Sequence, residues 1–495
     1  MLKSKVDLVK LVELMEKNDQ KKLQLLNYLD QYPNRQVRNS ELQDKLQISY
    51  YMFKRWTKEI VDDIATFQLD DRFSLEVTDA STILHEHHNT NTSVFLAHYL
   101  KLSPKVNILL TLMTQQATFN LADFAEANYV SYAFMYKRYI ALRETLKKWQ
   151  ITLTSQGELT GNELAIRLLL AKIMVVTHVT EDKFNHEVRQ ALAELLDLMK
   201  TTDAKPSMSQ LIETKAYMLI SLLRCQQGYT IASSQEVADL VANIRQGTLA
   251  TRNKAIAIYQ AHFDASDQAI NSECDYLGTF LAILGIINSE EIVFPETIKQ
   301  RGQAFIHGFE AKFKVTLSAV AKLKIAYAVN KCFVDVLVLP FRSEFFDDHI
   351  DISYFFKTYP GFFEYCQHFV LNQALHLESS QAQFLFYHCL LALAANVPLS
   401  KVLAPLSICV DFTSGHDYNA IITRDIQSFS TLNIQMTQQV EPETQLIITD
   451  LVNAYHDYDI PKVIWLSPPR PEDWENLINE LLRLREQAQE EFQKR

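Results

Sequence analysis

Residues 47–60 read QISYYMFKRWTKEI, and 82 residues later 129–142 read YVSYAFMYKRYIAL. Each copy holds a β-branched residue, then Ser-Tyr, then an aromatic or Met pair, then a Lys-Arg step within one residue of the same place. On a helix from about Tyr50 to Ile64, Phe53, Trp56, Ile60 and Ile64 share one face. Tyr51, Lys54, Arg55 and Lys58 follow i, i+3, i+4, i+7 on another. The spacing predicts a helix with an aromatic inner face and a cationic outer stripe.

The flanking text predicts what this helix packs on. KKLQLLNYLDQY (21–32) reads as a helix with Leu23, Leu26 and Leu29 inward, stopped at Pro33-Asn34. Ser40 is placed to cap a short helix through Leu46, and Gln47–Ser49 forms a tight turn. TFQLDDRFSLEV (66–77) alternates around Asp70-Asp71, a hairpin signal. Helix, helix, turn, helix, hairpin is the outline of a winged helix-turn-helix. The outline recurs: a connecting helix from His85 to Leu100, a helix over 103–115 with Pro104 in its first turn, Asn120 capping 121–127, a long helix over 131–149, and ITLTSQGELTG as a second wing.

A recognition helix in a major groove needs cations for phosphates and guanine edges, with short or amphipathic polar groups near its start. The first copy supplies these in Ser49, Tyr50, Tyr51, Lys54, Arg55 and Lys58, and Arg35 and Arg38 could clamp the nucleic-acid backbone. The second copy is less basic. Ala133, Tyr136, Lys137 and Ile140 stand where the first has Tyr51, Lys54, Arg55 and Lys58, so its candidates are Tyr132, Tyr136, Lys137 and Arg138. Charge follows the same division. Residues 1–161 sum to +1 and the remainder to −12, although the whole chain carries −11. That balance excludes a uniformly basic binder and suits a DNA-binding head on an acidic body.

At 495 residues the chain has room for about three to five domains. Ten Gly and 13 Pro disfavour a turn-rich β protein, so the expected class is mainly α and multidomain. From Asn162 onward come long amphipathic helices, in two sets that share a signature: Tyr259-Gln-Ala-His262-Phe263 and Tyr365-Cys-Gln-His368-Phe369, 106 residues apart. After Val397-Pro398, short β-rich runs at 406–412, 432–440, 445–452 and 462–467 alternate with helical text, predicting a small α/β domain with a mainly parallel sheet. The expected segments are 1–80 and 81–161 for two winged units, 162–273 and 274–397 for two helical bundles, and 398–495 for the α/β tail.

No apolar run is long enough to span a membrane, and the N-terminus lacks an apolar signal core. Six scattered Cys, with no CxxC, read as reduced core thiols of a cytoplasmic protein. GxGxxG, Walker, HExxH and GxSxG patterns are absent, so neither an enzyme nor a cofactor is expected. His85-Glu86-His87-His88 and Asp347-Asp348-His349-Ile350-Asp351 look metal-like but have no completing ligand, so they read as solvated segments.

With two winged units, a duplicated helical body and an α/β tail, the chain resembles the Mga/AtxA-type transcriptional regulators of Gram-positive bacteria. The resemblance implies a cytoplasmic regulator, many of whose relatives control virulence genes. It implies double-stranded promoter DNA as partner and self-association as a homodimer or larger homo-oligomer. The helical repeats would be phosphotransferase-system regulation domains whose histidines accept phosphate from phosphocarrier proteins, and the tail would be similar to an EIIB component. The phosphorylation candidates are His186, His262, His368 and His376, with His178, His307 and His388 as further possibilities. In the tail, Cys409 lies inside its strand and the following loop is acidic, which departs from a phosphate-carrying EIIB unit. Two other classes fit parts of the pattern: an RNA-binding antiterminator sharing the regulation domains, and a helical adaptor without a nucleic-acid role.

Overall fold

The computed structural model describes residues 10–87, 90–114, 119–201, 205–232, 235–244, 249–287, 292–345, 355–356, 358–373, 377–403, 405–428, 433–466 and 468–493. The chain is mainly helical with a small parallel sheet near its C-terminus, and it falls into two compact units.

One unit comprises residues 6–295 with 334–349. It opens on a 3-10 turn, Lys10–Leu14, followed by α1 (Lys17–Asp30), β1 (Gln36–Arg38), α2 (Asn39–Leu46), α3 (Tyr50–Thr66), β2 (Phe73–Val77) and β3 (Ser81–Glu86). The strands form an antiparallel sheet in the order β1-β3-β2, so the first head is a winged helix-turn-helix. Its core joins Leu23, Leu25, Leu26 and Leu29 of α1 to Phe53, Trp56, Ile60 and Ile64 of α3. Each such side chain contributes about 1.5–3 kcal/mol on burial.

Three expectations shift here. The hairpin lies over 73–86, not 66–77, and Asp70-Asp71 falls in the turn that links α3 to β2. Its own turn, Thr78-Asp79-Ala80, has no glycine. The Thr78 hydroxyl closes it by accepting from the Ser81 N–H at 3.0 Å. The short helix starts at Asn39, so Ser40 is not its cap. The buried Asn39 amide instead donates to the Thr78 carbonyl at 2.8 Å and accepts from the Thr82 hydroxyl at 2.8 Å, tying α2 to the wing. His85 lies on β3, and the connecting helix α4 spans Ser93–Leu102.

The second head follows as α5 (Pro104–Thr114), α6 (Leu121–Ala127), α7 (Tyr132–Lys148), β4 (Ile151–Leu153) and β5 (Leu159–Gly161). The 82-residue offset is kept in detail. Left-handed residues stop the turns at Gln47 and Tyr129 and end the long helices at Gln68 and Gln150. The two heads are joined through the N-terminal segment. Ser103 and Lys105 donate to the Leu14 and Glu13 carbonyls, while Lys148 pairs with Glu13 and Arg138 with Glu16.

A helical bundle completes this unit: α8 (Glu163–Thr177), α9 (His186–Lys200), α10 (Met208–Gln226), α11 (Gln235–Ile244), α12 (Leu249–His262) and α13 (Asp267–Ile283). α13 runs unbroken through 273/274. α8 is buried from Leu164 to Met174, including Arg167 at 0% exposure. The Arg167 guanidinium pairs with Glu163 at 2.8 Å and with Glu273 of α13, and donates to the Tyr229 carbonyl at 3.0 Å. Glu273 also accepts from the Ile231 N–H at 2.8 Å. Arg224 of α10 pairs with Glu163 at 2.7 Å and donates to the Leu159 carbonyl of β5 at 2.9 Å. Burial pushes the Glu163 carboxyl up, but Arg224 and Arg167 outweigh it and hold it below the usual range.

The other unit comprises residues 296–333 and 350–495. α14 (Glu296–Phe313), most of α15 (Ala319–Val338), α17 (Pro360–Leu371) and α18 (Ser379–Asn396) belong to it, while the short helix α16 (Arg342–Phe345) between α15 and α17 belongs to the first unit. Its helical core is aromatic, with Phe305, Phe309, Phe362, Tyr365 and Phe369 packed ring to ring. The tail sheet has β6 (Leu406–Asp411), β7 (Ile434–Thr437), β8 (Thr444–Thr449) and β9 (Lys462–Ile464), all parallel, in the order β7-β6-β8-β9. β6 is buried on both faces, which explains its continuous apolar text. α19 (His416–Gln427) and α20 (Pro471–Gln493) supply Ile422, Ile426, Leu477 and Leu481 to its core.

Candidate nucleic-acid interface

α3 starts at Ser49, whose hydroxyl accepts from the Met52 N–H at 3.3 Å. α7 starts at Ser131, whose hydroxyl accepts from the Phe134 N–H at 3.2 Å. This is why the Ser-Tyr step recurs: serine satisfies one orphan N–H at the helix entry. Phe53, Thr57, Ile60 and Ile64 face inward on α3, and Met135, Tyr139, Leu142 and Leu146 take the same positions on α7.

The outer stripe of α3 faces solvent. Tyr50, Tyr51 (73% exposed), Lys54, Arg55 and Lys58 are all exposed. Lys54 lies 5.6 Å above the Tyr50 ring, and Arg55 Nε donates to Glu59 Oε1 at 2.7 Å. Behind the stripe, the buried Lys22 ammonium of α1 pairs with Asp63 of α3 at 2.6 Å and with Asp19 at 2.8 Å. Burial lowers the Lys22 pKa, but the hydrogen bonds to Asp19 and Asp63 outweigh it and hold the group above its ordinary value. Tyr99 of α4 also donates to Asp63, at 2.8 Å. The stripe is thus pinned from the rear by a charged cluster on three helices. Arg38 is exposed on β1. Arg35 turns onto Asp30 at 2.9 Å and onto Glu86, so its charge is met within the head.

On α7 the exposed face differs. Tyr132 and Tyr136 stack with centroids 5.9 Å apart, and Ala133 and Lys137 are exposed beside them. Arg138 is drawn to Glu16 at 2.8 Å and lies over the Phe134 ring at 3.9 Å. Tyr129, 98% exposed in the preceding turn, extends the aromatic surface. The Glu59 partner of Arg55 follows from helical spacing at i, i+4, but neither Tyr129 nor the buried Arg167–Glu273 pair follows from periodicity. The last left one trace, a Glu163/Arg167 pair at i, i+4 in an otherwise apolar helix.

The candidate histidines are dispersed. His186 is the first residue of α9 and is exposed, beside the Asn185 cap. His262 ends α12 and meets Glu194 Oε1 of α9 at 3.1 Å. His368 is exposed on α17, in the same place relative to a buried Tyr and a Phe as His262. His178 and His307 are exposed, and His388 packs on Phe384 at 4.2 Å. His376 lies outside the described residues, as do His88 and the Asp347–Asp351 segment. Among the described residues no cluster of His, Cys, Asp or Glu could hold a metal ion. In the tail, Cys409 is buried within β6, and burial pushes its thiol up to about 11, so it stays protonated and poorly nucleophilic. No described helix is long and apolar enough to cross a membrane.

Residues 88–173 match the family model of the Mga helix-turn-helix domain. No curated protein matches the chain. The matched stretch holds α4 to α7, the second wing and most of α8, so the chain carries an Mga helix-turn-helix domain, the module of a DNA-binding transcription regulator.

Proposed function

We propose that the chain is a cytoplasmic regulator that grips double-stranded promoter DNA with α3 and α7, and whose assembly responds to histidine phosphorylation. The observation that carries the DNA half is the exposed, rear-pinned stripe of Tyr51, Lys54, Arg55 and Lys58 on a capped helix whose scaffold recurs in the matched domain. Ser49 and Tyr50 open α3 and Arg38 is exposed on β1; all three would meet phosphates, with Arg35 as a support for the turn. Lys137 would do so on the second head, where Tyr132 and Tyr136 would also face the duplex and Arg138 would orient the helix.

The regulatory half rests on two histidines with opposite surroundings. A phosphoryl group on His186 would sit at the N-terminal turn of α9, where the helix dipole favours negative charge. On His262 it would oppose Glu194 and break the 3.1 Å contact between α12 and α9. Arg224, which reaches the Leu159 carbonyl in the second wing, gives that bundle a hold on the DNA head. His368, and His376 beside it in sequence, would serve the second bundle. The donors would be phosphotransferase-system phosphocarrier proteins, the helical sets would be the regulation domains, and the EIIB-like tail would assist a homodimer. The proposed functional segments are those expected from the sequence, with the first wing taken to Glu86 and the first bundle to Ile283.

The test is gel shift on promoter duplexes with wild type and a Lys54→Ala/Arg55→Ala variant, before and after treatment with the phosphocarriers. The variant should lose affinity roughly tenfold or more and flatten the plot of log K against log salt by about 0.9 per lost phosphate contact. Peptide mapping should find phosphate on His186, His262 or the second-bundle pair. Unchanged binding by the variant sinks the DNA half, and absence of any phosphohistidine sinks the regulatory half.

A further inference from the structure

The two recognition helices share a scaffold yet present different chemistry at the end that would reach base edges. In helix-turn-helix docking, residues in the first turns of the recognition helix contact those edges. α3 offers Lys54 and Arg55 there, groups that suit the O6 and N7 acceptors of guanine; Arg55 meets Glu59 through Nε but stays exposed. α7 offers Tyr132, Ala133, Tyr136 and Lys137. At the position of Lys54 it has Tyr136, at that of Tyr51 it has Ala133, and at that of Lys58 it has the half-buried Ile140. Its remaining nearby guanidinium, Arg138, is held by Glu16 and Phe134.

What is left is a small apolar patch on an exposed helix face, one methyl beside two phenol rings already stacked at 23°. Two stacked tyrosines lose little freedom on binding, because each has few rotatable bonds and each braces the other. In the major groove one base presents an apolar group, the C5-methyl of thymine. The occupant should also be polyanionic: Lys137 is exposed beside the patch, and Arg143 and Lys147 are exposed further along the same helix. An apolar patch at the entry of a helix that carries exposed cations further along fits duplex DNA better than a protein surface.

We propose that α7 is a thymine reader: Tyr132, Ala133 and Tyr136 take the 5-methyl groups of a thymine-rich block, while α3 selects guanine in a separate block. The inference rests on the DNA-binding reading above and adds to it the base that each head prefers. The phosphate contacts of the two heads differ accordingly, with α3 supplying more of the salt dependence and α7 more of the methyl dependence.

The test starts from random duplexes of about 40 base pairs, roughly four helical turns, enriched on the full-length protein. The best duplex is then remade with deoxyuridine in place of thymidine, block by block, which removes methyls and leaves every Watson–Crick pair intact. Deoxyuridine in the α7 block should weaken binding about fourfold per contacted methyl, the effect of exposing one such group to water. Tyr132→Ala/Tyr136→Ala should abolish that sensitivity without changing the salt slope. Tyr136→Phe should retain it, which separates lost contact from lost fold. Arg55→Ala should relax the guanine block alone. Deoxyuridine without effect, or an effect that survives the double tyrosine variant, overturns the proposal while leaving DNA binding in place. Failure of any duplex to enrich overturns the DNA reading itself, and this inference with it.

Discussion

Arg138 shows how one residue of register changes a side chain's use. Both copies contain a Lys-Arg step, but the second is displaced by one position relative to the 82-residue offset. Lys137 therefore takes the place of Arg55, and Arg138 takes the place of the buried Trp56 and is pulled to Glu16. A helical wheel resolves that displacement, but it does not locate Glu16, which lies 122 residues away in the chain. His98 is another residue whose role depends on contacts remote in sequence. Its ring stacks on Phe67 at 4.4 Å, and burial, then Lys101, pushes its pKa below the ordinary 6.5. A histidine with a depressed folded pKa contributes stability that is complete above the unfolded value and is lost as pH falls through the folded one. The first head should therefore melt at lower temperature as pH drops below about 6.5. His98→Phe should flatten that decline, as read by thermal denaturation at a series of pH values. An unchanged pH profile in the variant would assign the decline to other groups.

At the scale of elements, the helices were legible because their starts are written in the sequence. Ser49, Asn120, Ser131, Asn162, Asn185 and Ser266 each accept from a backbone N–H at a helix entry. The first wing was misplaced because its turn closes through the Thr78 hydroxyl and lacks the Asn-Gly or Asp-Gly signal of a tight hairpin. β1 passed unseen for a related reason: three residues are too short to show alternation. α8 presents the opposite case, an apolar helix whose one arginine is matched from another helix by Glu273. Glu273→Gln should cost about 3–5 kcal/mol in urea unfolding, because it leaves the buried Arg167 charge with only Glu163, which Arg224 also shares. Replacing both partners together, Arg167→Met with Glu273→Leu, should recover much of that loss. If the single variant unfolds like wild type, the pair does not hold the bundle.

For the molecule as a whole, the mainly helical class was legible from composition, the two N-terminal helix-turn-helix outlines from turn chemistry and the doubled motif, and the parallel tail from strand and helix text in alternation. The link between the two heads was not, because it is made by main-chain carbonyls of Glu13 and Leu14 and by two carboxylates of an amphipathic N-terminal stretch of mixed charge. That stretch has a consequence for the target. If α3 and α7 are clasped to a common brace, they behave as the jaws of a caliper locked at one opening. A promoter lengthened by about ten base pairs between its two blocks keeps both on the same side of the helix, yet lies beyond the jaws. Affinity should fall by about a hundredfold or more as one head lets go. Glu13→Gln with Glu16→Gln should loosen the lock and return part of that loss on the lengthened site. Wild-type tolerance of the longer promoter would mean that the jaws slide.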